Sequence, residues 1–331
     1  MFRKILIDRL NKKYAGKELM FCNRIYNDIL FWPFSIHICC HSTKMPYFPP
    51  LLYKTLIKNF KFNEYIKNID NIMQQNQKEN AVCKGCKFFE KQIVPNFPKE
   101  KNITFFTINH FTKCNSNCIY CGIRRKTEDI KYNLLPIIKQ MVKNKIINDS
   151  CLFNWGGGEP TICSEFEEIA NFLHKNKLRQ AINSSGIEFS NTILEGLKDG
   201  LMSIQISPDA GTEETYKRIK RQNNFNKVWE NIEKYAQFPD MLFVKYIFFS
   251  WNANENDVKL FIQKCINAKV KNIVIDCESN SVNNPRSPFG KINNEIVQLA
   301  ILMKKLAIQN NINYQISYQW REEDKIKIES T

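Results

Sequence analysis

The chain has 331 residues, room for one large domain and a smaller one, and its 43 % apolar and 24 % charged residues are an ordinary globular mixture. The start, MFRKILIDRLNKKY, lacks a signal-peptide pattern, and the longest apolar run, within ILFWPFSIHICC, is broken by Pro33 and His37 and is too short for a bilayer; the expectation is a soluble, cytoplasmic protein with no membrane partner. The formal net charge of +15 admits a polyanion such as RNA, but the lysines are spread along the chain rather than blocked, which favours solvated faces over a nucleic-acid site.

Twelve cysteines in such a chain point to metal ligation or chemistry rather than to a secreted disulfide framework. Residues 1 to about 100 are irregular, aromatic and punctuated by proline (YFPPLL, VPNFPKE). They carry Cys22, then Cys39 and Cys40 at the end of an extended stretch, then Cys83 and Cys86 in a Cys-x2-Cys pair. Adjacent Cys39 and Cys40 point to opposite faces of a strand, so one of them ligates, and Cys39 is preferred. Both an iron–sulfur cluster and a structural zinc suit this set, with His37 and His41 as further candidate ligands for zinc.

From about residue 102, apolar runs alternate with amphipathic stretches. The expected strands are 103–110 (ITFFTINH), 151–155, 180–185, 201–207, 241–250, 272–277 and 311–318, each short and rich in β-branched or aromatic residues. Between them, SEFEEIANFLHKNK reads as a helix with Ser164 as N-cap and Glu167 completing a capping box. SNTILEGLKDG ends at Gly200, a C′ glycine. FNKVWENIEKYAQF and ENDVKLFIQKCINAK have apolar residues at helical spacing. The β-α-β series at even intervals argues for parallel strands joined by right-handed crossovers, in a full or partial (β/α) barrel whose chemistry sits at the C-terminal strand ends. The isolated Cys151, Cys163, Cys265 and Cys277 are expected as small core residues. Lys245, on the fifth of these strands, is expected to be a solvated or paired lysine.

The stretch CNSNCIYC follows the first of these strands. Its Cys114, Cys118 and Cys121 are soft ligands one short of a tetrahedral set, and His110 is a local candidate for a fourth. A three-ligand loop leaves one metal corner open for a small molecule. Cys114-x3-Cys118-x2-Cys121, with aromatic Tyr120 before the last cysteine, resembles the signature of the radical S-adenosylmethionine (SAM) family. At the next strand end, Gly156-Gly157-Gly158-Glu159-Pro160 resembles that family's GGEP motif. ISPDAGTEETYKRIKRQNNF, after the fourth strand, resembles a third stretch of the family.

That resemblance, from about residue 102 to 280, implies an α/β fold with a partial (β/α)6 TIM-like barrel as the radical SAM core (101–331), preceded by a small irregular cysteine-bearing domain (1–100). It implies a 4Fe-4S cluster on the three cysteines whose open iron is chelated by SAM. Tyr120, Gly157, Gly158, Glu159, Pro160, Ser185, Ser207 and Asp209 are the implied cofactor contacts, and Lys220 or Arg221 falls where the family has a basic residue; Pro208 departs from the family's usual apolar residue. The N-terminal Cys22, Cys39, Cys83 and Cys86 are similar to the family's SPASM or twitch extension, which holds auxiliary clusters but usually follows the barrel, and imply an auxiliary 4Fe-4S cluster. The implied activity is reductive SAM cleavage and hydrogen abstraction from a small-molecule or sugar-like substrate, an oxidation, epimerisation or related modification. A flavodoxin or ferredoxin would serve as reductant. A peptide or RNA substrate is the alternative, and a non-catalytic zinc or nucleic-acid-binding protein the different class.

Overall fold

The computed structural model describes residues 2–33, 36–37, 62–81, 83–84, 86, 88–97, 103–122, 132–278, 282 and 288–331. These fall into two compact units. Unit one takes residues 1–111, 128–157 and 168–180; unit two takes 112–127, 158–167 and 181–331.

In unit one, β1 (Glu18–Phe21) and β4 (Glu90–Ile93) form an antiparallel ribbon. A sheet runs in the order β6 (Ile147–Trp155), β5 (Ile103–Ile108), β2 (Asp28–Phe31), β3 (Ile36–His37). The pairs β2–β5 and β5–β6 are parallel, and Phe106 stacks between Phe31 and Phe153 at 4.9 and 4.8 Å. The N-terminal hundred residues are more regular than their composition suggests. Besides these strands they hold the helices Phe2–Tyr14 and Phe62–Gln75, joined by Lys13 and Tyr14 on the Asp70 carboxylate at 2.9 and 2.6 Å. Ile69, Ile72 and Met73 bury one side of the second helix at the spacing of a helical face.

Unit two holds the C-terminal part of β7 (Arg179–Ser184), then β8 (Met202–Ile206), β9 (Leu242–Phe248), β10 (Asn272–Cys277) and β11 (Asn313–Ile316), in sheet order β7 to β11. The pairs β8–β9, β9–β10 and β10–β11 are parallel. Helices Asn191–Lys198, Glu213–Lys220, Phe225–Tyr235, Glu255–Asn267 and Asn294–Gln309 alternate with them. The class is α/β with a parallel sheet, as expected, and every strand expected from residue 102 onward is present within a few residues.

Gly200, with φ of +70°, ends its helix as expected. Its N–H donates to Leu197 O at 3.1 Å and that of Leu201 to Gly196 O at 3.0 Å, a Schellman arrangement. The capping box is a correction. The helix starts at Phe166, two residues beyond Ser164, and the Glu167 carboxylate accepts from the hydroxyls of Ser190 and Thr192. Cys151, Cys163, Cys265 and Cys277 are buried, as expected of core residues. Among the described residues no helix is long and apolar enough to cross a membrane.

Candidate active site

The loop 112–122 has no regular structure, yet its backbone is held. The N–H groups of Asn117 and Ile119 donate to the carbonyls of Lys220 and Ile219 at 3.2 and 3.0 Å, and so satisfy acceptors that the end of helix Glu213–Lys220 leaves open. Ile119 is buried with Ile219, Ile247 and Phe249, and Lys113 O accepts from Glu159 N at 2.9 Å. Of the three cysteines, Cys118 and Cys121 are half-buried, and Cys114 is exposed as a whole residue.

Burial nonetheless pushes the Cys114 thiol up to about 12, against a bond from Ser116 N, while Glu159 and the other two cysteines add to the rise. Burial raises Cys118 too, opposed by the positive charge of Lys220. Without a metal these thiols keep their protons at neutral pH, and a bound thiophilic centre would displace them. Among the described residues no three His, Cys, Asp or Glu side chains stand close enough to share one metal ion. A four-iron cluster asks for something different, because each cysteine takes its own iron. Three soft donors on one short loop suit it, and so do two buried polar atoms of that loop without hydrogen-bond partners, Asn115 Nδ2 and Ser116 Oγ.

At the end of β6, Gly157 is demanded by the backbone and Gly156 by the neighbouring Asn109 side chain. A Cβ on Gly156 would meet Asn109 Oδ1 at 2.6 Å; Gly157 has φ of +77°, and a Cβ there would lie 2.7 Å from Phe111 O. Glu159 follows, 2 % exposed. Its Oε1 accepts from Thr161 N, Thr161 Oγ1 and Ser184 Oγ at 3.2, 2.8 and 2.9 Å, and its Oε2 from Ser185 N at 2.6 Å. Pro160 opens the short 3-10 turn Pro160–Ile162. Ser185 Oγ then donates to Asn115 Oδ1 at 3.0 Å, so a line of bonds leads from Glu159 to the cysteine loop. Both Glu159 oxygens accept bonds within the protein, three on Oε1 and one on Oε2, and these hold the turn in shape.

Asp209 is fully buried and has a left-handed backbone, φ +56°, which costs a non-glycine residue about 1–3 kcal/mol. Its Oδ2 accepts from Tyr120 Oη and from Lys220 Nζ, each at 2.5 Å, and its Oδ1 from Ile247 N at 3.0 Å. Lys220 Nζ also reaches Tyr120 Oη at 2.7 Å. Asn252 braces the turn: Nδ2 donates to Asp209 O and Ile247 O at 3.0 and 2.8 Å, and Oδ1 accepts from Phe249 N at 3.0 Å. Asp209 and Tyr120, expected as cofactor contacts, therefore point their polar atoms at each other. Ser207 is half-buried, just past the end of β8, and Arg221 is exposed.

The sequence did not single out a polar row on one face of unit two's sheet. Gln205 pairs in register with Phe243, and Lys245 with Val274, so side chains two residues apart share that face. Gln205 Nε2 donates to Asn183 Oδ1 at 3.0 Å, and Lys245 Nζ stands 3.6 Å from Asp276 Oδ2. The alternation of polar Ser203, Gln205 and Ser207 with apolar Met202, Ile204 and Ile206 was the available signal.

His110, wholly buried against the rings of Phe111 and Tyr132, packs as an aromatic. In the N-terminal set Cys22 and Cys83 are buried and Cys86 half-buried. Asn76 clamps Cys83, its Nδ2 donating to Sγ at 3.3 Å and its Oδ1 accepting from the Cys83 N–H at 3.1 Å. Cys86 N donates to Cys83 O at 3.0 Å, a tight Cys-x2-Cys turn. Cys39, Cys40 and His41 lie outside the described residues.

A GTP 3',8-cyclase of Clostridium botulinum (strain Okra / Type B1) is 30 % identical over 140 residues, covering 40 % of this chain and 44 % of the cyclase. The chain thus matches less than half the length of that relative. Among solved structures, Streptococcus suis SuiB bound to precursor peptide SuiA has a TM-score of 0.54 at 13 % identity, over 77 % of this chain and 54 % of SuiB. Native anSMEcpe with bound AdoMet gives 0.52 at 14 %, over 65 % and 63 %. At such identity the likeness is one of fold. Residues 108–274, about half of the chain, match the Radical SAM superfamily, and they include the cysteine loop, the glycine turn and the Asp209 turn. The chain belongs to the radical SAM superfamily of enzymes, which work with a 4Fe-4S cluster and SAM.

Proposed function

We propose that Cys114, Cys118 and Cys121 hold the 4Fe-4S cluster, and that the protein reductively cleaves SAM and abstracts hydrogen from a small, polar, sugar-like substrate. The observation that carries this is the cysteine loop itself, its backbone bonded to the end of helix Glu213–Lys220 and its Asn115 joined through Ser185 to Glu159. When bound, the cluster and SAM supply an electron and a 5′-deoxyadenosyl radical, chemistry no side chain provides.

The protein's share is positioning. Gly157 and Gly158 bring the backbone close to the methionine end of SAM, and Glu159 keeps that turn shaped. Asn115 Nδ2 and Ser116 Oγ, unpartnered and buried, are hydrogen-bonding groups available to the cofactor. Ser207 stands past a strand end, where barrel chemistry is placed. The row Asn183, Gln205, Lys245 and Asp276 offers donors, acceptors and one loose ion pair, which suits hydroxyl- and carbonyl-bearing substrates. A nucleotide, such as the GTP in the name of the cyclase relative, falls in that class. Cys22, Cys83 and Cys86, with Cys39, are proposed to hold an auxiliary cluster, and the Asn76 bond to Cys83 Sγ is the kind of contact that tunes such a centre.

The test is anaerobic reconstitution with iron and sulfide, followed by reductant and SAM. Release of 5′-deoxyadenosine is expected, and the triple Cys114→Ala, Cys118→Ala, Cys121→Ala variant should release none while keeping iron at the N-terminal set. Continued SAM cleavage by the triple variant removes the assignment, and zinc in place of iron and sulfide removes the enzyme reading.

A further inference from the structure

Among the described residues, Tyr120, Asp209 and Lys220 form a cluster with a feature that packing alone does not demand. Lys220 is a cation at 5 % exposure, and both of its functional ends meet the cysteine loop. Its carbonyl accepts from Asn117 N and its ammonium donates to Tyr120 Oη, so Lys220 brackets Cys118 from residues on either side. Asp209 holds the ammonium there and is itself fixed to β9 through Ile247 N. The ammonium also lies 5.2 Å from the Tyr120 ring centroid.

We propose that Lys220 is a buried counter-charge to the cluster held by Cys114, Cys118 and Cys121, fixed by Asp209 and Tyr120, and that it raises that cluster's reduction potential. The inference rests on the cysteine assignment above. The physics is one of charge: reduction adds a negative charge to the cluster, and a fixed positive charge at close range in a poorly screened interior favours the reduced form. Asp209 opposes this in part, so the two charges act with opposite sign. Burial works against the ammonium, and the Asp209 carboxylate bonded to it holds it above its ordinary value.

The test is the midpoint potential of the SAM-binding cluster, by EPR-monitored titration of reconstituted protein without SAM. A background variant with Cys83→Ala and Cys86→Ala removes signal from any auxiliary centre. Lys220→Met should move the potential negative by at least tenfold in the oxidised-to-reduced ratio, about 59 mV for one electron. Asp209→Asn should move it positive. Lys220→Arg and Tyr120→Phe, which keep both charges, should leave it near the starting value. Should Lys220→Met fail to hold iron, a positive shift in Asp209→Asn against an unshifted Lys220→Arg carries the proposal. Shifts of the same sign in Lys220→Met and Asp209→Asn, or no shift in Asp209→Asn, overturn the proposal. Absence of a reducible cluster from the parent protein would instead overturn the cysteine assignment.

Discussion

Among the described residues of unit two, two lysine–aspartate pairs have opposite character. Lys220 and Asp209 meet at 2.5 Å with side-chain exposures of 6 % and 0 %, and their polar ends are also bonded to Tyr120 and to Ile247 N. Lys245 and Asp276 stand 3.6 Å apart with 19 % and 11 %, in a row of polar side chains on the half-buried face of the sheet. The same two residue types serve different ends. A pair with saturated geometry holds the backbone in place, whereas a loose one keeps donors for something that arrives later. Distance and the number of additional bonds separate the two, not burial alone.

The comparison can be broken at the sealed pair first. Lys220→Met leaves the Asp209 carboxylate buried without its cation and is expected to cost about 3–5 kcal/mol, read by denaturant unfolding of the apoprotein. Combining it with Asp209→Asn should recover part of that loss; a double variant as unstable as the sum of the singles would mean the two residues do not act as a pair. A smaller effect tests the other sealed carboxylate. Glu159→Gln puts an amide in place of one of the oxygens that receive the Ser184, Ser185 and Thr161 donors, and about 1.5–3 kcal/mol is expected by the same measurement. The smallest stability effect belongs to the open pair. Lys245→Met should change unfolding by less than about 1 kcal/mol, yet raise KM for the substrate several-fold with SAM cleavage in the absence of substrate unchanged. A Lys245 variant with altered stability and unaltered KM would put it in the same class as Lys220.

How far the sequence revealed this arrangement depends on how local each signal was. The three cysteines share one short stretch, the glycines of 156–158 are consecutive, and the strands carry their own β-branched pattern, so loop, turn and strands were all legible. The ties around Asp209 join residues 89, 11 and 38 positions apart, to Tyr120, Lys220 and Ile247. No periodicity links such positions, and the family resemblance pointed to Asp209 and Tyr120 separately without joining them. β2 was missed for another reason. DILF is short, with an aspartate before its three apolar residues, and its place parallel to β5 is a tertiary fact. The capping box failed because Glu167 found better partners across the fold in Ser190 and Thr192.

Asn252 carries a consequence of its own. Its amide nitrogen serves two carbonyls, Asp209 O and Ile247 O, and its oxygen serves Phe249 N. A single base change in an asparagine codon writes aspartate, a side chain of nearly the same shape that would aim a lone pair at those two carbonyls. One of the shortest mutational steps in the genetic code is thus among the worst chemically at this position. Drift there is expected to stall at the first step, even though a shape-based measure of similarity would count the exchange as mild.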